Sequence, residues 1–232
     1  MNKIKNINYP GWELKYFDKA HNFRKYQQNL ISKFIGGIVA EVGPGNGTNA
    51  SMYHKYCDQL HLYEPTKKLS ENLVKKFKPK KKISVFNKKF KTKKNFYDTI
   101  IYLDVIEHID EHKKEVLNAY KSLKNNGYLV IVVPAFQFLY SQFDKDVDHT
   151  KRFNKKDFKK IFKTTNTKNI NMFYYDSVGF FLSLVSKLIT KDYKKKFELK
   201  IMLWNKLIFI SKILDLILFY IVGKSLAVIV KK

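Results

Sequence analysis

The chain has one cysteine and two arginines, and each scarcity excludes something. Cys57 alone cannot form an internal disulfide, which fits a reducing, cytoplasmic setting. Of the 45 basic residues only Arg24 and Arg152 are arginines. Despite a net charge of +25, this weighs against specific nucleic-acid binding, because arginine is the side chain that forks onto phosphate and guanine. A lysine excess joined to many Asn, Ile, Tyr and Phe reads instead as the bias of an AT-rich genome. Residues 72–97 contain no acid, yet their lysines flank a short apolar stretch and gather around Pro79, as solvated loops and helix ends do. The N-terminus lacks the apolar core of an export signal. No uncharged run reaches the roughly 18 residues that a membrane span needs, because Lys206, Lys212, Asp215 and Lys224 interrupt the apolar C-terminal third. Contact of that region with a membrane surface stays open.

What is present fits one α/β domain with additions: 232 residues, 45% of them hydrophobic. Residues 18–35 carry Ala20, Phe23, Gln27, Leu30, Ile31 and Phe34 at helical spacing and stop at Gly36 and Gly37. Strands and helices then alternate. Strands are expected at 38–42, 59–63, 83–86, 99–103 and 128–134, and helices at 49–56, 66–77 and 111–124. Such alternation calls for right-handed crossovers and a parallel sheet. A long loop, 135–153, follows, with aromatic residues that speak against disorder. A helix at 154–162, a strand at 169–175, a helical region at 177–222 and a last strand at 225–230 complete the chain. This divides the chain into an N-terminal helical lid (1–36), a core (37–176), a helical cap inserted before the last strand (177–223) and a final core strand (224–232).

The segment 38–47 concentrates the chemistry. An apolar run ends on Glu41, and Gly43, Gly45 and Gly47 follow at alternate positions. A strand leading into such a turn lets backbone N–H groups approach a nucleotide cofactor closely. The dinucleotide fingerprint places its third glycine one residue later. Glu64 ends the second strand about 20 residues further on, where a carboxylate can accept hydrogen bonds from ribose hydroxyls. The fourth strand runs into Asp104, Glu107 and His108 within one turn. Glu107 and His108 can be read as metal ligands, but with no third ligand in view no metal is expected; they can also merely cap the next helix.

The glycine turn with its preceding acid resembles motif I of class I S-adenosylmethionine methyltransferases, and the 104–108 turn resembles their motif IV. From about Gly11 nearly the whole chain is similar to one branch of these enzymes, frequently linked to surface-polysaccharide and glycolipid biosynthesis. The likeness runs through Ala20, His21, Asn22, Arg24 and Tyr26, through Thr48, through residues 129–135, through Leu139 and Tyr140, through residues 148–153, and through Gly223, Lys224, Ser225 and Leu226. Two departures stand out: Asp148 occupies a position usually held by glycine, and Lys151 one usually held by a second arginine. Asn87, Lys88 and Lys89 match poorly, so no adenine contact is assigned.

The resemblance implies a Rossmann-like, doubly wound, seven-stranded sheet with a reversed final hairpin. It implies S-adenosyl-L-methionine as cofactor, held by Glu41, Gly43, Gly45, Gly47, Glu64, Asp104 and Glu107. The acceptor implied is a sugar, glycan or lipid-linked glycan intermediate, methylated on oxygen. An alcohol acceptor profits from a base, for which His149 and His108 are the candidates. Arg152 is expected to fork onto the acceptor, with His149 on the same face if the segment is helical; the competing reading pairs Arg152 with Asp146 or Asp148. Other readings are a methyltransferase of a quinone or small metabolite, a non-catalytic module bound peripherally to a membrane through 177–223, and an NAD-linked oxidoreductase. Lys191 and Lys194 to Lys196 would meet anionic headgroups in any membrane contact.

Overall fold

The structure is a computed structural model that describes residues 11–165, 167, 169–189 and 194–232. Seven strands form one sheet: β1 (Gly37–Val42), β2 (Cys57–Tyr63), β3 (Ile83–Phe86), β4 (Tyr97–Leu103), β5 (Leu123–Pro134), β6 (Asn169–Tyr175) and β7 (Ser225–Lys231). Their order is β3-β2-β1-β4-β5-β7-β6. The first five are parallel, while β7 runs antiparallel to both β5 and β6, so the doubly wound sheet with a reversed final strand is present.

Alternate residues of the central strands feed two cores. Ile100, Tyr102, Leu129, Ile131 and Val228 face one side with Val116, Phe158 and Phe162. Val39, Ile101, Val130, Val132 and Ile229 face the other with Phe23, Tyr26, Leu73 and Phe77. The first set packs under α5 (His112–Ser122) and α7 (Lys155–Phe162); the second packs under α2 (His21–Ile31), α3 (Thr48–Tyr53) and α4 (Lys67–Phe77). A sheet covered on both faces needs apolar residues at consecutive positions, which is why these strands read as short apolar runs.

Several boundaries differ from the sequence expectation for physical reasons. The helix expected at 18–35 begins at His21 as α2 and closes in a 3-10 turn at Ser32–Phe34, and a separate short helix, α1 (Leu14–Phe17), precedes it. The two are separated where Asp18 turns to the glycine loop, accepting from Asn46 Nδ2 at 2.7 Å and Thr48 Oγ1 at 2.6 Å. The helix expected at 49–56 ends at Tyr53 in a 3-10 turn, and the one expected at 111–124 ends at Ser122 because β5 starts at Leu123. The loop 135–153 contains a 3-10 turn and α6 (Gln142–Asp146). Residues 149–152 have no regular secondary structure and are not helical.

The helical region 177–222 consists of α8 (Ser177–Ile189), α9 (Phe197–Lys206) and α10 (Ile208–Ile217). Asp215, which interrupts the apolar run in sequence, is fully buried. Its carboxylate accepts from the Asp176 and Ser177 N–H groups at 2.7 and 2.9 Å and from the Tyr26 hydroxyl at 2.7 Å, so it ties α10 to the start of α8 and to α2. Asp176 in turn accepts from Trp204 Nε1 and Ser211 Oγ, both at 2.9 Å. Among the described residues no helix is long and apolar enough to cross a membrane. Lys191 and residues 1–10 lie outside the described residues.

Candidate active site

Strand order reverses direction between β1 and β4, and in open α/β sheets ligands bind at the carboxyl edge beside that point. A cavity of about 610 Å³ lies there, within the size range of small-molecule sites. Glu41, Gly43, Gly45, Glu64, Asp104, Glu107, His108, His149 and Arg152 all line it. Gly47 does not. A Cβ on Gly47 would come within 2.6 Å of Leu73 and 2.8 Å of Phe77, so this glycine serves the left-handed backbone (φ +68°) and the close packing of α4.

The other two glycines act differently. Gly43 has φ +68° and lies against Val105, which a Cβ would approach to 2.7 Å. At Gly45, φ +55°, a Cβ would project toward the cavity, meeting nothing closer than Leu14 at 3.5 Å. The Gly45 N–H donates to Glu64 Oε2 at 3.3 Å, and the Thr66 N–H to Glu64 Oε1 at 2.9 Å. Burial raises the Glu64 carboxyl, and these donors pull it back. Burial pushes the Glu41 carboxyl up to about 7, against the pull of nearby Arg24; its Oε2 has no hydrogen-bond partner. Desolvation also raises Asp104, opposed by Arg24, His149 and Lys224. Asp104 stands in the left-handed region at φ +55°, the kind of local strain that surrounding structure must hold in place.

The opposite wall is organised by Asp144, a residue the sequence did not single out for a role. Its buried carboxylate receives Arg152 Nε at 2.8 Å on Oδ1 and Nη2 at 3.0 Å on Oδ2. His149 Nδ1 lies 2.9 Å from Oδ1, and the Ser141 N–H and hydroxyl donate to Oδ2. The Arg152 fork is therefore filled by Asp144. This corrects both the expected fork onto an acceptor and the rival pairing with Asp146 or Asp148. Although burial opposes it, bonding from His149 and Arg152 holds the Asp144 carboxyl far below its usual range.

Loop 135–153 is fastened at its base by Phe136 and Phe153, which exchange bonds with Phe153 and Pro134 at 2.9 Å. Thr150 fastens it to the 104–108 turn, donating its N–H and Oγ1 to the Glu107 carbonyl at 2.7 and 2.9 Å. This brings His149 Nε2 to 3.9 Å from Glu107 Oε1 and the His108 and His149 rings to 4.7 Å. Glu107 is completely buried, and its carboxyl is raised well above the ordinary value by burial and by Asp104 beside it. Burial and the neighbouring His149 lower His108 to about 4.

Arg24, Lys224 and Trp204 also line the cavity. Arg24 donates to Asn49 Oδ1 at 2.9 Å and to the Phe17 carbonyl at 3.1 Å. Both arginines of the chain thus stand at this site.

A family profile described as a methyltransferase domain matches residues 16–171, two-thirds of the chain. The chain belongs to this family. The fold and family are those of class I methyltransferases, whose cofactor is S-adenosyl-L-methionine. A SAM-dependent methyltransferase from Archaeoglobus fulgidus superposes with a TM-score of 0.64 at 16% identity, covering 97% of this chain and 100% of that one. Phosphoethanolamine N-methyltransferase 2 of Haemonchus contortus, solved with S-adenosyl-L-methionine, gives 0.60 at 15% identity over 93% of this chain and 56% of its own. The same nematode enzyme with phosphomonomethylethanolamine and S-adenosylhomocysteine gives 0.63 at 15% identity over 95% of this chain and 58% of its own. The chain therefore spans little more than half the length of the nematode enzyme. No curated protein sequence matches it.

Proposed function

We propose that this methyltransferase transfers the methyl group of S-adenosyl-L-methionine to a hydroxyl oxygen of a sugar or lipid-linked glycan presented at a membrane surface. The observation that carries the acceptor class is the two-sided character of the C-terminal helices. Trp204 and Lys224 belong to the cavity wall, while residues 177–223 hold twelve of the fifteen large apolar side chains exposed among the described residues. They include Phe209, Ile213, Leu216 and Phe219, the last of them 84% exposed. Patches of that kind mark interaction surfaces.

The cofactor side fits a cationic nucleoside. Gly45 leaves room at the cavity floor, Glu64 supplies a carboxylate suited to a ribose diol, and Glu41 offers a buried carboxyl beside Tyr53 and Arg24. When bound there, S-adenosyl-L-methionine supplies an already activated methyl carbon. Glu41, Asp104 and Glu107 favour its positive charge, and Gly43 and Gly45 allow close backbone approach. The chain's main task is then to hold the acceptor oxygen at near-attack distance. Asp144 fixes the His149 ring through Nδ1, leaving Nε2 on the Glu107 side to take the acceptor proton. His108, neutral at pH 7, is the weaker base. Arg152 acts through Asp144 as a positioning residue.

The test is transfer of label from methyl-tritiated S-adenosyl-L-methionine into membranes of the source cells, followed by hydrolysis. Labelled methyl sugar in the lipid-extractable fraction is expected. Label on a quinone or a water-soluble metabolite overturns the acceptor class, and no labelled product together with no cofactor binding overturns methyl transfer. Sedimentation with anionic vesicles, reversed by high salt or carbonate, tests the surface contact; a requirement for detergent defeats it.

A further inference from the structure

We propose that Glu107, His108 and His149 form a site for one divalent transition-metal ion at the acceptor end of the cavity. One ligand atom from each residue lies within 4.8 Å of the other two. The sequence offered Glu107 and His108 as a pair without a third partner; the hydrogen bonds of Thr150 bring in His149 from 41 residues away.

Two observations separate this cluster from an incidental grouping. Glu107 has no exposed surface, and neither carboxyl oxygen has a hydrogen-bond partner in another residue; only its own backbone N–H supports it. Ionising a buried carboxyl so poorly supplied with donors costs several kcal/mol in order of magnitude, and a bound cation offsets this cost. The second observation concerns the histidines. His149 Nδ1 lies 2.9 Å from Asp144 Oδ1, itself fixed by Arg152, and His108 Nδ1 is 3.3 Å from the Asp148 carbonyl. Metal-binding histidines are characteristically held through their other ring nitrogen by a carboxylate or carbonyl, which sets tautomer and ring direction.

Two imidazoles and one carboxylate select the ion. Magnesium and calcium prefer oxygen donors, whereas manganese, iron(II), cobalt and zinc accept nitrogen readily. Ligand atoms around zinc stand roughly 3.3 Å apart, so the cluster, with His149 Nε2 and Glu107 Oε1 at 3.9 Å and all ligand atoms within 4.8 Å of one another, contracts around the ion by side-chain rotation. Three protein ligands leave coordination positions open toward the cavity, where an acceptor oxygen binds. This rests on the methyl-transfer reading and alters one role in it: in the loaded protein His149 Nε2 is a ligand in place of the base, and the ion itself would acidify the bound hydroxyl.

The experiment uses full-length, tag-free protein stripped with a chelator, in the absence of cofactor and acceptor, so its outcome is independent of methyl transfer. Cobalt(II) and zinc(II) are titrated by absorption spectroscopy and calorimetry. One ion per chain is expected, with binding weakened at least ~100-fold in Glu107→Gln and in His149→Ala. X-ray absorption of the zinc-loaded wild-type protein, which needs no variant, should show two imidazole ligands. No binding, binding unchanged in both folded variants, or fewer than two imidazoles overturns the site. Calorimetry of the same stripped protein with S-adenosyl-L-methionine separates failure of the metal site from failure of the methyltransferase reading.

Discussion

On the side of β1 and β2, backbone geometry shapes the cavity: three glycines with positive φ, two N–H groups on Glu64, and a floor kept open by the Cβ that Gly45 lacks. On the side of β5 and loop 135–153, the wall is made of side chains: Asp144, His149 and Arg152 in one buried cluster, joined to the Glu107 turn by Thr150. The first arrangement depends on spacing within a few residues. The second depends on where a nineteen-residue loop is fastened. The glycine wall, proposed above for the cofactor, can thus be damaged by adding atoms, whereas the loop wall, proposed for the acceptor, is damaged by removing charge.

Asp144→Asn should break the acceptor wall most severely. It leaves the Arg152 guanidinium buried without its carboxylate, and loss of about 3 kcal/mol of unfolding free energy is expected in urea titrations. A loss below 1 kcal/mol would mean that the cluster does not organise the loop.

Gly45→Val addresses the other wall. Affinity for S-adenosyl-L-methionine should fall beyond about 100-fold by calorimetry while circular dichroism stays native, because the branched side chain enters the cavity. Gly47→Ala in the same turn should instead lower stability by about 1–3 kcal/mol through crowding of Leu73 and Phe77. Equal behaviour of the two variants would erase the distinction between floor and packing glycine.

Arg152→Lys should leave cofactor affinity near native and reduce turnover about tenfold, since lysine cannot hold both oxygens of Asp144 and the direction of His149 is lost. Full turnover, or lost cofactor binding, contradicts a positioning role.

The smallest effect concerns pH. With the folded Glu41 carboxyl raised to about 7 from 4.5, its neutral form favours folding, so its contribution is fully present below about 4.5 and declines up to about 7. A cationic cofactor prefers the ionised form, so affinity should rise severalfold between pH 6 and 8. Glu41→Gln should flatten that slope, and an unchanged slope would assign it to another group.

The sequence disclosed what depends on near neighbours. The glycine turn, the acids ending β1 and β2, and the strand–helix alternation follow from local spacing, and β3 and β6 agree to the residue with expectation. Three features escaped because they depend on long-range contacts. Asp144 looks like one of several loop acids until the loop is folded. Asp215 looks like a break in an apolar stretch, although it faces inward onto the start of α8. Gly47 resembles its neighbours in the turn, yet its crowding comes from α4, some 26 residues away.

The position of β7 bears on how the chain is made. It is the last strand in sequence, but it is inserted between β5 and β6 and bonded to both. During synthesis β5 therefore waits with an unpaired edge while some ninety residues, including the apolar α8–α10, leave the ribosome. The two strands that flank the gap cannot pair with each other in their native places, and nothing upstream of Ser225 can close it. A nascent chain stalled before that point presents open strand edges beside sticky helices, a combination prone to aggregation. Completion of the sheet is thus a late, single event, and chaperone dependence should be concentrated in the interval between emergence of β6 and emergence of β7.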